Sequence, residues 1–142
     1  MNSPILAPAA VLVLWTLIML VWMAMTRLPA MKAKGIDLGT VVGGRGYDLE
    51  GVLPANVNWK AHNYAHLVEQ PTLFYAVVAI LALTGADGQA PVIFAWAYVL
   101  VRIVHSIVQA TFNRVLVRFS LFMLSTFVLL ALALIAAVET LS

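Results

Sequence analysis

Two sets of polar residues break an otherwise apolar chain. Asn58, His62, His66 and Glu69 are spaced 4, 4 and 3 residues apart, and Tyr98, Arg102, His105, Gln109 and Asn113 are spaced 4, 3, 4 and 4 apart. Helical side chains meet at i+3 and i+4, so each set should form a stripe on one helix face. Between them the stripes hold a carboxylate, a guanidinium, three imidazoles, a phenol and several amides, with Ser106 beside them. Such groups can hold a small charged molecule, stabilise an anion and move a proton. The chain has no cysteine, which excludes disulfides, thiolate metal sites and cysteine nucleophiles, and leaves the redox compartment open.

Two other readings of the stripes compete with that one. Three histidines and a carboxylate suit Zn²⁺ or non-haem iron. However, His62 and Glu69 lie two turns apart, about 10 Å along a helix axis, too far to share one ion without distortion. A non-catalytic structural or lipid-binding protein is the other alternative, its polar groups satisfying one another between helices. Retention of both Glu69 and Arg102 counts against it, because ionisable groups inside a membrane are costly and mark function.

The elements that must carry the stripes are membrane helices. Of 142 residues, 63% are hydrophobic and 10% charged, too apolar for a soluble domain with a polar face on every helix. Four stretches, about 5–26, 59–84, 91–112 and 115–138, each reach the roughly 20 residues a bilayer core requires. The first has no basic n-region, so it reads as a spanning helix and not a signal peptide. Short polar turns at Gly85–Gly88 and Asn113–Arg114 join the last three. The fold class is therefore all-α, a single domain over residues 1–142, an up-down antiparallel four-helix bundle in the membrane.

Residues 28–58 form the long loop, holding six of the eight glycines with Pro29 and Pro54. Gly43-Gly44-Arg45-Gly46 follows no strand and lacks the Lys-Ser/Thr of a phosphate loop. The tryptophans read as packing or interface residues. Arg27, Lys32, Lys34, Arg45 and Lys60 lie in or beside the first loop, and Arg114 and Arg118 flank the third. The N-terminus, second loop and C-terminus carry neither Lys nor Arg, which predicts cytoplasmic basic loops and both termini outside. With a net charge of only +2, nothing calls for a nucleic acid partner. Counted at about 1.5 Å per residue from the basic end, Glu69 lies roughly 13 Å deep, His105 about 12 Å and Arg102 about 16 Å. Equal depth predicts a funnel, His62 and His66 at its entrance, ending at a Glu69–Arg102 pair.

The segment His62-Asn63-Tyr64-Ala65-His66-Leu67-Val68-Glu69-Gln70-Pro71 resembles the second-helix signature of the membrane-associated proteins in eicosanoid and glutathione metabolism (MAPEG). Arg102-Ile103-Val104-His105-Ser106, then Asn113-Arg114 and Arg118-Phe119, is similar to the third-helix and connecting pattern of bacterial members. Helix count, the long first loop and orientation extend the resemblance over nearly the whole chain. It implies a homotrimer in a bacterial inner membrane with periplasmic termini. It also implies glutathione held between subunits as co-substrate, for transfer to, or reduction of, a lipophilic electrophile or peroxide.

On that resemblance Glu69 holds the tripeptide's amino end and Arg102 is the catalytic candidate for the thiolate or a carboxylate. His105, Ser106, Tyr98 and Gln109 support the ligand, and His62 and His66 line its entrance. The chain departs from the family pattern at three places. Counting back from Glu69, the usual Asn is His66 and the usual Arg is His62, while a tyrosine of the third helix is Gln109. An imidazole lacks the bidentate fork of a guanidinium, and it titrates near neutrality.

Overall fold

The structure, a computed structural model, describes residues 2–142. It is all-helical among those residues: α1 Leu6–Ala33, α2 Ala55–Leu67, α3 Pro71–Thr84, α4 Gln89–Ala110 and α5 Val115–Leu141. Four spans are long and apolar enough to cross a bilayer, with α2 and α3 together forming the second, Ala55–Thr84. Ser3 Oγ donates to Asp87 at 2.5 Å, placing the N-terminus beside the α3–α4 turn, as alternating spans require.

The second span is broken where the sequence reading expected one continuous helix. Pro71 has no N–H, and its ring crowds the carbonyl four residues back, so α2 ends at Leu67 and a helix restarts at Pro71. Tighter i−3 bonds close the joint, from Val68 N to Ala65 O at 3.2 Å and from Glu69 N to His66 O at 3.3 Å. Thr72 Oγ1 takes up the Glu69 carbonyl at 2.6 Å.

Two further boundaries differ from expectation. α1 runs past Thr26 and through Pro29 to Ala33, because Ala30, Met31 and Lys32 are strong helix formers. It ends in a Schellman turn: Gly35, at φ +74°, donates to Lys32 O at 3.0 Å, and Ile36 donates to Met31 O at 3.1 Å. α2 begins at Ala55, where Asn58 Nδ2 donates to the carbonyls of Leu49 (3.3 Å) and Leu53 (3.5 Å). The long loop thus shrinks to residues 34–54, with a 3-10 turn at Gly46–Leu49.

α4 is the central helix. It packs on α1, α2 and α5, while α3 packs on α1 and α5. Leu12, Met19, Phe74, Val78, Leu81, Tyr98, Val99, Leu129 and Leu132 form the apolar core. Phe74 stacks on Tyr98 with ring centres 4.4 Å apart. Since lipid is as apolar as leucine, such close packing and a few interhelical hydrogen bonds must hold the spans together. Trp15 Nε1 donates to Ser106 Oγ at 3.0 Å, joining α1 to α4. Tyr98 Oη donates to Gln70 Oε1 at 3.1 Å, and Gln70 Nε2 donates to Thr126 Oγ1 at 2.8 Å. That chain ties the joint before Pro71 to α4 and α5.

Candidate functional site

The joint in the second span organises the site. Breaking a helix frees carbonyls at its C-terminal side, and here one of them receives a cation. Arg102, 0% exposed, extends from α4 and donates from Nη2 to His66 O at 3.3 Å. Its Nε and Nη1 have no hydrogen-bond partner in the chain. A buried guanidinium with two idle donors is far from satisfied.

The side chain of His66 lies against that of His105, ring centres 5.0 Å apart and nearly perpendicular, and Phe122 lies 5.4 Å from the same imidazole. His66 Nδ1 comes within 3.4 Å of Glu69 Oε2, without the geometry of a hydrogen bond. His105 Nε2 and Gln109 Oε1 are buried and likewise unpartnered. In front of the two imidazoles an open cleft of about 300 Å³ is lined by His66, His105, Arg118, Val115, Phe119 and Phe122. Val115, Arg118, Phe119 and Phe122 come from one face of α5, so the cation stands among apolar side chains, while the two imidazoles come from α2 and α4.

Arg118 was missed as a site residue in the sequence, where it counted toward orientation and the family-like pattern but not toward the site. Its position depends on the α4–α5 turn, which no periodicity reveals. Asn113 turns the chain at φ +47°, and its Oδ1 accepts from Arg118 Nη1 at 2.6 Å. An asparagine tolerates that left-handed conformation better than most residues do. Asn63 does not line the cleft, yet it is 1% exposed and neither polar atom of its side chain has a partner. Its signal was an amide in a membrane helix, one position off the stripe.

The remaining stripe residues go to different places. Glu69, with its side chain 69% exposed, meets His66 and not Arg102; among the described residues the expected Glu69–Arg102 ion pair is absent. His62 leaves the cleft altogether and pairs with Glu50 of the loop, in a separate pocket with Arg27, Tyr47 and Tyr64. Each step of four residues rotates a helical side chain by about 40°, so two such steps spread Asn58, His62 and His66 across the helix surface. Tyr98 and Ser106 are buried with their hydroxyls engaged by Gln70 and Trp15. Gln109 stays on the buried face of α4 beside His105. Among the described residues no group of three His, Cys, Asp or Glu side chains lies close enough to hold a metal ion.

A four-span helical protein whose broken second span meets a buried arginine of the third is the class that fold and site define. The sequence pattern of the MAPEG family matches residues 5–138, and the chain belongs to that family. No curated protein and no solved structure matches it.

Proposed function

We propose that the cleft binds glutathione, or a small anionic thiol like it, and presents the sulfur to a lipophilic electrophile or peroxide arriving from the bilayer. The observation that supports the reading is one opening in which the Arg118 cation and the His66 and His105 imidazoles stand beside the apolar side chains of Val115, Phe119 and Phe122. The polar groups suit a tripeptide with two carboxylates and a thiol. The apolar side chains suit a partner that dissolves in lipid.

In this reading Arg118 attracts the thiolate or a carboxylate, since a thiol is nucleophilic only after losing its proton and a nearby cation favours that loss. Arg102, fully buried and outside the lining of the cleft, positions His66 from behind through its hydrogen bond to the His66 carbonyl. His105 Nε2 and Gln109 supply hydrogen bonds. Glu69 binds the ammonium group. A homotrimer belongs to the same reading, because an exposed carboxylate within a membrane span needs cover from a neighbouring subunit or from ligand. So does an orientation with this end in the cytoplasm of a bacterial inner membrane. With a carbon electrophile the sulfur attacks the carbon, the leaving group departs with its electron pair, and the thiol proton goes to water. With a peroxide, two thiols are oxidised to a disulfide as the O–O bond is reduced to an alcohol and water.

Glutathione mixed with detergent-purified protein should show the ultraviolet absorption of a bound thiolate, and a chloronitroaromatic electrophile should discharge it. Arg118→Leu should lose both signals. The competing non-catalytic reading draws on Tyr98 and Ser106, whose hydroxyls already serve helix packing. A wild-type protein that neither forms the thiolate nor consumes the electrophile would favour it.

A further inference from the structure

At the basic end of the bundle, α1 outruns the membrane. Its 28 residues span about 42 Å, against a hydrocarbon core of about 30 Å. The last turns, from Arg27 to Ala33, therefore stand at headgroup depth, and the loop folds back over them. Arg27 Nη2 holds that fold by donating to Gly46 O at 2.8 Å.

Between helix and loop lies a continuous groove. One part, about 550 Å³, is lined by Leu28, Met31, Lys32, Ile36, Asp37 and Leu38. A second part, about 350 Å³, shares Met31, Ile36 and Leu38 and adds Val41 and Arg45. Its floor is apolar, and Leu38 and Val41 stand exposed along it. Three cations rim it: Arg27, Lys32 and Arg45.

Two carboxylates, Asp37 and Asp48, also line the groove, each tied to a backbone N–H, so three cations stand against two anions there. Asp37 accepts from Gly39 N at 2.9 Å, Asp48 accepts from Arg45 N at 2.7 Å, and Glu50 pairs with His62. Lys32 has no ion-pair partner among the described residues, and Arg45 lies over the Tyr47 ring, 4.3 Å from its centre. An apolar groove with a cationic rim at headgroup depth matches one occupant in both parts: phosphate to the rim, upper acyl chain to the floor.

We propose that this groove is a binding site for an anionic glycerophospholipid of the surrounding leaflet. It is separate from the cleft of His66, His105 and Arg118, and stands whether or not that cleft binds a thiol.

The test uses the full chain reconstituted in phosphatidylcholine bilayers, with trace spin-labelled phosphatidylglycerol or spin-labelled phosphatidylcholine. The fraction of each probe immobilised by the protein is read by electron paramagnetic resonance. Wild type should retain the phosphatidylglycerol probe several-fold better. Lys32→Gln and Arg45→Gln should each reduce that preference by roughly fivefold or to parity, the effect of losing one cation near an anionic headgroup. Arg114→Gln, which removes an equal charge from the same end but outside the groove, should leave it unchanged. All three substitutions are at the surface, and circular dichroism confirms that each variant folds. Equal retention of both probes by wild type, or a preference that Arg114→Gln reduces as much as the groove variants do, overturns the proposal.

Discussion

The Arg102 guanidinium lies on the His66 carbonyl at 3.3 Å, so the buried cation of α4 caps the broken end of α2 instead of pairing with a carboxylate. Cation and helix C-terminus attract each other, and inside a membrane little else screens them. The same contact fixes the backbone that carries the His66 imidazole, which lies against His105 at the mouth of the cleft. One residue thereby couples the joint in the second span to the geometry of the site, with two donors left over.

Replacing Arg102 by Leu should therefore have two effects. The lost charge-assisted hydrogen bond should lower stability by about 1.5–3 kcal/mol, read as a lower midpoint of thermal unfolding in detergent. Glutathione should raise that midpoint for wild type and not for the variant, since a ligand stabilises only the state that binds it. An unchanged midpoint together with intact protection would remove Arg102 from both roles.

Tyr98→Phe should cost roughly 0.5–1.5 kcal/mol, because its hydroxyl donates to Gln70. Gln70→Leu removes the same bond and the bond to Thr126, so the double variant should lose less than the sum of the two. Strict additivity in the double-mutant cycle would show that the two side chains do not meet in the membrane.

Much of this architecture was legible in the sequence. Apolar runs of bilayer length reveal four spans whatever their neighbours do, and four members of the α4 stripe, Tyr98, Arg102, His105 and Gln109, fall on its buried face, whereas Asn113 lies beyond the helix in the turn to α5. The stripe on α2 was less faithful. Depth counting assumed an unbroken helix, whereas Pro71 breaks it and leaves Glu69 exposed at the joint. His62 was drawn away by Glu50, twelve residues earlier in an irregular loop, a pairing that no helical period encodes. Arg118 enters the cleft only because Asn113 turns α5 back along α4.

The His62–Glu50 contact should hold the loop without holding the bundle. Glu50→Gln should speed amide exchange across Gly46–Leu49 while the amides of α4 keep their protection, as expected of a locally stabilised segment. Exchange in that turn at the wild-type rate would mean the contact does not restrain it.

Membrane orientation can be read directly, since the chain contains no cysteine of its own. Asn2→Cys and Val42→Cys, both at exposed positions, should react with an impermeant maleimide from opposite sides of the membrane. In intact spheroplasts of a bacterial host, the Lys and Arg asymmetry predicts that only Asn2→Cys is labelled. Labelling of both from the outside would contradict the four-span topology.

The central claim is that the cleft of His66, His105 and Arg118 binds an anionic thiol, and calorimetric titration of glutathione into the detergent-purified protein tests it most directly. Wild type should give saturable binding at millimolar concentration or below. Arg118→Leu should weaken it by about tenfold or more, the loss of one charge-assisted contact. Absence of saturable binding to wild type, or equal affinity for the variant, would contradict the account.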